Sequence, residues 1–178
     1  MFNNHGIIVY HGSTSLIKTI DVTKGKPYKD FGRGFYVTES KSRASNLALR
    51  NKRIEKERYG RLCDAHLYTY KMNKSRLSRY NVKEFLKADF EWLSFVIENR
   101  RTRDRAHNFD AVIGPTANDD TMTVINAYLD ALYGVIGDED ALMTLIKNIK
   151  PDKPPKQIYF SNNDAANTLI PEGRVERL

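Results

Sequence analysis

Apolar positions in this chain fall into short continuous runs, alternating stretches and helical stripes. Ile7-Ile8-Val9-Tyr10 is a continuous run that predicts a buried strand entering a turn at His11-Gly12. Asp21 to Asp30, with Gly25 and Pro27, reads as a loop leading to a second strand, Gly34 to Val37. Ser15 to Ile20 suits a helical turn or a strand equally. Thr38 caps a helix whose stripe of Ala44, Leu47, Ala48 and Ile54 runs to about Arg58. Ala65 to Met72 alternates as a half-buried strand. Tyr80 to Arg101 predicts one long helix, because Leu86, Phe90, Leu93 and Ile97 recur at helical spacing. Phe109 to Ile113 is a strand stopped by Gly114-Pro115. Thr121 then caps a helix carrying Ile125, Tyr128, Leu129, Leu132 and Tyr133 on one face, ended by Gly134 and Gly137. A helix over Asp138 to Asn148, a linker over Pro151 to Pro155 and a strand over Gln157 to Phe160 follow. Asn162-Asn163-Asp164 caps a last short helix, Ala165 to Leu169. This order predicts an α+β protein with a mixed or antiparallel sheet.

Composition narrows the class. At 178 residues, 40% hydrophobic and 29% charged, the chain reads as a single globular domain over residues 1–178. No apolar run reaches the ~18 residues of a membrane span, so no membrane role is expected. Cys63 is the one cysteine, which excludes an intrachain disulfide and makes the cytoplasm the expected location. The histidines show no metal-ligand spacing, and His5, His66 and His107 read as structural or exposed.

Charge adds a surface. Lys41 to Arg61 holds eight Lys/Arg against Glu55 and Glu57, a net of +6. Pro115 to Lys150 holds six acids against Lys147 and Lys150, a net of −4. The basic helix attracts anions, whether nucleic acid, an acidic partner protein or a nucleotide phosphate; a solvated helix face accounts for it equally well.

The candidate chemistry sits in two glycine-marked segments, Tyr10-His11-Gly12-Ser13-Thr14 and Asp30-Phe31-Gly32-Arg33-Gly34-Phe35-Tyr36. Their glycines permit close backbone approach or positive φ, and His11, Ser13, Arg33 and Tyr36 stand beside them. Two such strand ends suit a pocket for a flat, polar, phosphate-bearing ligand, although each segment alone also fits a turn.

Together these segments resemble the ADP-ribosyltransferase superfamily, in the H-Y-E branch that includes diphtheria toxin and the poly(ADP-ribose) polymerases. The chain is similar over nearly its whole length to a bacterial family of unknown function in that clade, suspected of supplying toxins of toxin–antitoxin pairs. Further echoes lie at Trp92 to Arg100, Phe109 to Asp119, and Gln157-Ile158-Tyr159-Phe160. The resemblance implies a split pair of small mixed or antiparallel sheets around an NAD cleft. It implies transfer of ADP-ribose from NAD to a protein or nucleic-acid acceptor, and an antitoxin as a further partner. By similarity His11 bonds an adenosine-side ribose hydroxyl, Gly12 offers its backbone to the carboxamide, and Tyr36 stacks on nicotinamide. Ser13, Arg33 and Gly34 complete the NAD-binding set, with Arg33 reaching a phosphate.

The third signature position departs from the family. Where the family opens its late strand with Glu, this chain has Gln157. Loss of one well-placed charge costs on the order of 3 kcal/mol, about a hundredfold in rate. The catalytic set is thus His11, Tyr36 and Gln157, with a slow or altered transferase, or a carboxylate from elsewhere, as the consequence. Glu39, Asp119 and Asp120 are candidates for that carboxylate; the first also serves a helix start, and Asn118, Asp119 and Asp120 also read as a capping turn. Asn99 and Arg100 read as a polar cluster ending a helix. The alternatives are a binding module on the same fold and an NAD hydrolase using water as acceptor.

Overall fold

The computed structural model describes residues 6–117, 119–148 and 156–178. Its strands are β1 (Ile7–Ser13), β2 (Phe35–Thr38), β3 (His66–Met72), β4 (Val82–Glu84), β5 (Ala111–Pro115), β6 (Lys156–Phe160), β7 (Leu169–Pro171) and β8 (Glu176–Arg177). Its helices are α1 (Lys41–Tyr59), α2 (Lys74–Leu77), α3 (Phe90–Arg101), α4 (Asp119–Leu129), α5 (Glu139–Asn148) and α6 (Asn163–Ala166).

The strands pair in the order β4-β5-β6-β2-β1-β3-β7, with β8 also on β3. The β4–β5 pair is parallel and the rest are antiparallel, so the α+β class with a mixed sheet holds. The two expected small sheets are joined into one, across a thin seam. Seven residue pairs join β1 to β3 and four join β2 to β6, whereas Tyr10 opposite Thr38 is the one registered pair between β1 and β2. Beyond that pair the His11 imidazole takes over from the ladder, its Nδ1–H donating to the Tyr36 carbonyl at 2.6 Å.

Alternation along the strands sorts the core onto two faces. Val9, Phe35, Val37, Tyr68, Tyr70, Ile158 and Phe160 pack on one face with Ala165 and Leu169. On the other, Val112 and Tyr159 meet Phe31, Phe85 and the apolar sides of α3, α4 and α5. Helix α1 packs over β1 and β3 by way of Ala44 and Ala48, both buried. Gly12 permits this approach: a Cβ there would lie 1.9 Å from the Ala44 carbonyl oxygen.

Several elements depart from the pattern of the sequence. The long helix expected over Tyr80 to Arg101 is strand β4 followed by a loop and the shorter α3. Asp89 caps α3 by accepting from the Trp92 amide, and Leu86 is 81% exposed. The buried stripe is Trp92, Leu93, Val96 and Ile97; it keeps Leu93 and Ile97 of the expected series, whereas Leu86 and Phe90 are exposed. Ser40, not Thr38, caps α1; Thr38 Oγ1 instead donates to the Lys156 carbonyl and accepts from Ser40 N. Gly114 and Pro115 belong to β5, opposite Gln157 and Lys156. Helix α4 begins at Asp119 and ends at Leu129, short of Leu132 and Tyr133. Asn162 caps α6 as expected, but Leu169 opens β7. The expected linker over residues 151–155 lies outside the described residues. Among the described residues no helix is long and apolar enough to cross a membrane.

Candidate functional site

His11, Tyr36 and Gln157 sit on the adjacent strands β1, β2 and β6. Gln157 lies opposite Thr38, and Tyr36 opposite Tyr159, so Tyr36 and Gln157 share a sheet face. His11 does not join them there. Its ring stacks on Phe35, at 4.3 Å between centroids, against the core of the opposite face.

Tyr36 is held at both ends. Its hydroxyl donates to Gly32 O at 2.6 Å and accepts from Phe31 N at 3.1 Å, while its ring tilts against Tyr159 at 5.1 Å. Burial, and then the nearby Asp30 carboxylate, hold this phenol well above its ordinary pKa, so it stays protonated. Gly32 makes the supporting turn, at φ +95°, where a Cβ would also collide with Arg105.

The carboxylate beside Gln157 is Asp30, the first residue of the second glycine-marked segment. Asp30 is 5% exposed and receives four hydrogen bonds. Its Oδ1 accepts from Arg100 Nε at 2.8 Å and from Arg100 Nη2; its Oδ2 accepts from Gln157 Nε2 at 2.8 Å and Ala117 N at 3.3 Å. Gln157 Nε2 also donates to Pro115 O at 3.3 Å, a carbonyl shared with Trp92 Nε1 at 3.1 Å. The candidates for a substitute carboxylate fare differently. Glu39 and Asp120 are exposed, Asp119 opens α4, and Asn118 lies outside the described residues. Asn99 is structural, donating to Phe95 O and accepting from Ala106 N. Arg100 is the half of that expected polar cluster that reaches Asp30.

Other predicted residues have local duties. The Arg33 guanidinium donates to the Gly25 carbonyl at 3.0 Å and to the Thr23 carbonyl, bracing the preceding loop. Ser13 Oγ accepts from Ser15 N at 3.0 Å. Gly34 packs against β6, where a Cβ would lie 2.3 Å from Phe160 O. Lys29, next to Asp30 in the chain, has its ammonium held below its ordinary pKa by desolvation and then by Arg100. A groove of about 320 Å³ lies elsewhere, between Ile17 to Ile20, Tyr68 to Tyr70 and Pro171 to Val175; it contains none of the predicted residues. Among the described residues no cluster of potential metal ligands occurs.

Two histidines are held neutral. His107 Nε2–H donates to Phe31 O at 2.8 Å, so its Nδ1 accepts from Phe109 N at 3.1 Å. Protonation would break the second bond, and burial lowers the pKa of His107, as it does that of His11. A depressed imidazole pKa stabilises the fold above the unfolded value of 6.5 and loses that contribution as pH falls below it. The urea midpoint is therefore lower at about pH 5.5 than at about pH 7.5, and removing both imidazoles flattens the difference. An unchanged slope in the double variant would refute the assignment.

The fold and this cluster define an α+β protein with a buried charged network beneath one face of a mixed sheet. The chain belongs to the family described as "Protein of unknown function (DUF3990)", whose model matches residues 7–170. No curated protein and no solved structure matches it.

Proposed function

We propose that this chain is an NAD-dependent mono-ADP-ribosyltransferase, a bacterial intracellular toxin acting on a protein or nucleic acid. The observation that carries this reading is the meeting of Tyr36 and Gln157 on one face of adjacent strands, with His11 tied to the Tyr36 carbonyl on the next. The superfamily resemblance of the same three positions gives the arrangement its chemistry. In that chemistry the bond between nicotinamide and ribose C1′ breaks and its electron pair leaves with nicotinamide. An acceptor nucleophile then bonds C1′ and gives up its proton.

The residues suit parts of this task. Tyr36 offers a fixed ring for a flat heterocycle. The His11 Nδ1–H is engaged by Tyr36 O, so its neutral Nε2 meets a ribose hydroxyl as an acceptor. Arg100 keeps further N–H groups for a diphosphate.

Incubation with labelled NAD and a bacterial lysate tests the reading. Wild type labels a macromolecule, and His11→Ala loses about a hundredfold of that rate. Release of nicotinamide with no labelled macromolecule would make the chain an NAD hydrolase, and no release at all would refute both.

A second reading, a binding module for nucleic acid or an acidic protein, is favoured by the uncharged Gln157 and by α1. Arg50, Arg53, Lys56 and Arg58 are exposed there, whereas Lys41 and Arg61 pair with Glu176 and Glu55. Under this reading nucleic-acid affinity falls steeply with salt, and neutralising Arg50, Arg53 and Lys56 abolishes it. Binding that survives those substitutions would exclude this face.

A further inference from the structure

Gln157 occupies its position in an orientation that its neighbours dictate. Both groups facing its amide are pure acceptors, the Asp30 carboxylate and the Pro115 carbonyl. Only the nitrogen can face them, so Nε2 points inward with both N–H groups engaged and Oε1 points away. Thr38, its cross-strand neighbour, directs its hydroxyl to Lys156 O, and no buried side-chain polar atom lacks a partner among the described residues. Oε1 thus points away from the Asp30 carboxylate and the Pro115 carbonyl, in a residue on the sheet face shared with Tyr36.

Asp30 has no oxygen left over for a ligand, because four donors occupy its two oxygens. Its charge reaches outward only through the Gln157 amide, whose carbonyl is polarised when its N–H donates to a carboxylate. We infer that Asp30 is a positioning residue that locks the Gln157 amide with Oε1 presented as the acceptor for a hydroxyl of a ribose-bearing ligand. The identity of the ligand rests on the transferase reading. The glutamine follows from Asp30: a glutamate at 157 would set two carboxylates within hydrogen-bonding distance, in a site with one guanidinium to share.

The charge-swap set tests this: wild type, Asp30→Asn, Gln157→Glu, and the double variant Asp30→Asn/Gln157→Glu. The double variant keeps one carboxylate and one amide in the pair, with their positions exchanged and Arg100 still beside position 30. Nicotinamide release from NAD gives kcat and KM. Each single variant loses at least about tenfold in kcat with KM changed by no more than about threefold, and the double variant recovers most of the loss. Gln157→Glu alone performing as well as wild type, or a double variant no better than Asp30→Asn, would overturn the proposal.

A second readout does not depend on turnover. Gln157 is the only glutamine in the sequence, so protein labelled with 15N on the glutamine side chain gives one amide signal. In wild type its two protons are widely separated and protected from exchange, and ADP-ribose moves the signal; in Asp30→Asn the separation and protection are lost. A freely rotating amide in wild type, or a signal indifferent to both NAD and ADP-ribose, would overturn the proposal. Should wild type release no nicotinamide, the transferase reading fails and this signal alone decides the role of Asp30.

Discussion

Asp30→Ala lowers the free energy of unfolding by about 3–5 kcal/mol, measured by urea denaturation at neutral pH. The side chain of Asp30 is 7% exposed and that of Arg100 26%. Removing the acid leaves a partly buried guanidinium without its counter-ion and a buried glutamine N–H without an acceptor. The reverse truncation, Arg100→Ala, costs less, because the carboxylate keeps Gln157 Nε2 and Ala117 N. A loss below about 1 kcal/mol for Asp30→Ala would mean that water replaces these partners, as in an exposed pair.

Gly12→Ala is the second large effect, about 3 kcal/mol of destabilisation with displacement of α1 from the sheet. The obstacle is a backbone carbonyl, 1.9 Å from the added carbon, and a helix backbone cannot turn aside as a flexible side chain does. Gly60→Ala is the control. That glycine ends α1 at φ +64° with nothing within 4 Å of an added Cβ, so its cost is the conformational one of about 1 kcal/mol. Equal losses at the two positions would refute the packing argument. Gly12 thus has a structural reason that involves no ligand, a separate matter from its place in the resemblance.

Where the sequence was legible, the period was pure. Strands β1, β3 and β6 follow from continuous or alternating apolar runs, and α5 from a stripe that buries Ala141 and Leu145. Tyr80 to Leu86 misled, because Phe85 is buried directly after strand β4 while the adjacent Leu86 faces solvent, and a stripe begun at Leu86 runs through to Ile97. Strands β4, β7 and β8 have two or three residues each, too few to show a period. Asp30 was hidden for a different reason. An acid before Phe-Gly reads as a turn residue, and what buries it are partners 70 and 127 positions away, which no local pattern reveals. Arg33 has a local duty that its charge did not reveal: carbonyls eight and ten residues earlier accept from its guanidinium.

The carbonyl of Pro115 joins two residues that otherwise have little to do with each other. Trp92 is the single tryptophan, 1% exposed, and its indole N–H ends on the same oxygen as the amide of Gln157. Indole emission from this chain therefore has one source, sited one atom away from the residue whose orientation matters most. An event that pulls on Gln157 changes the field at that indole, so ligand engagement is visible as a change in intrinsic fluorescence, with no dye, label or engineered reporter.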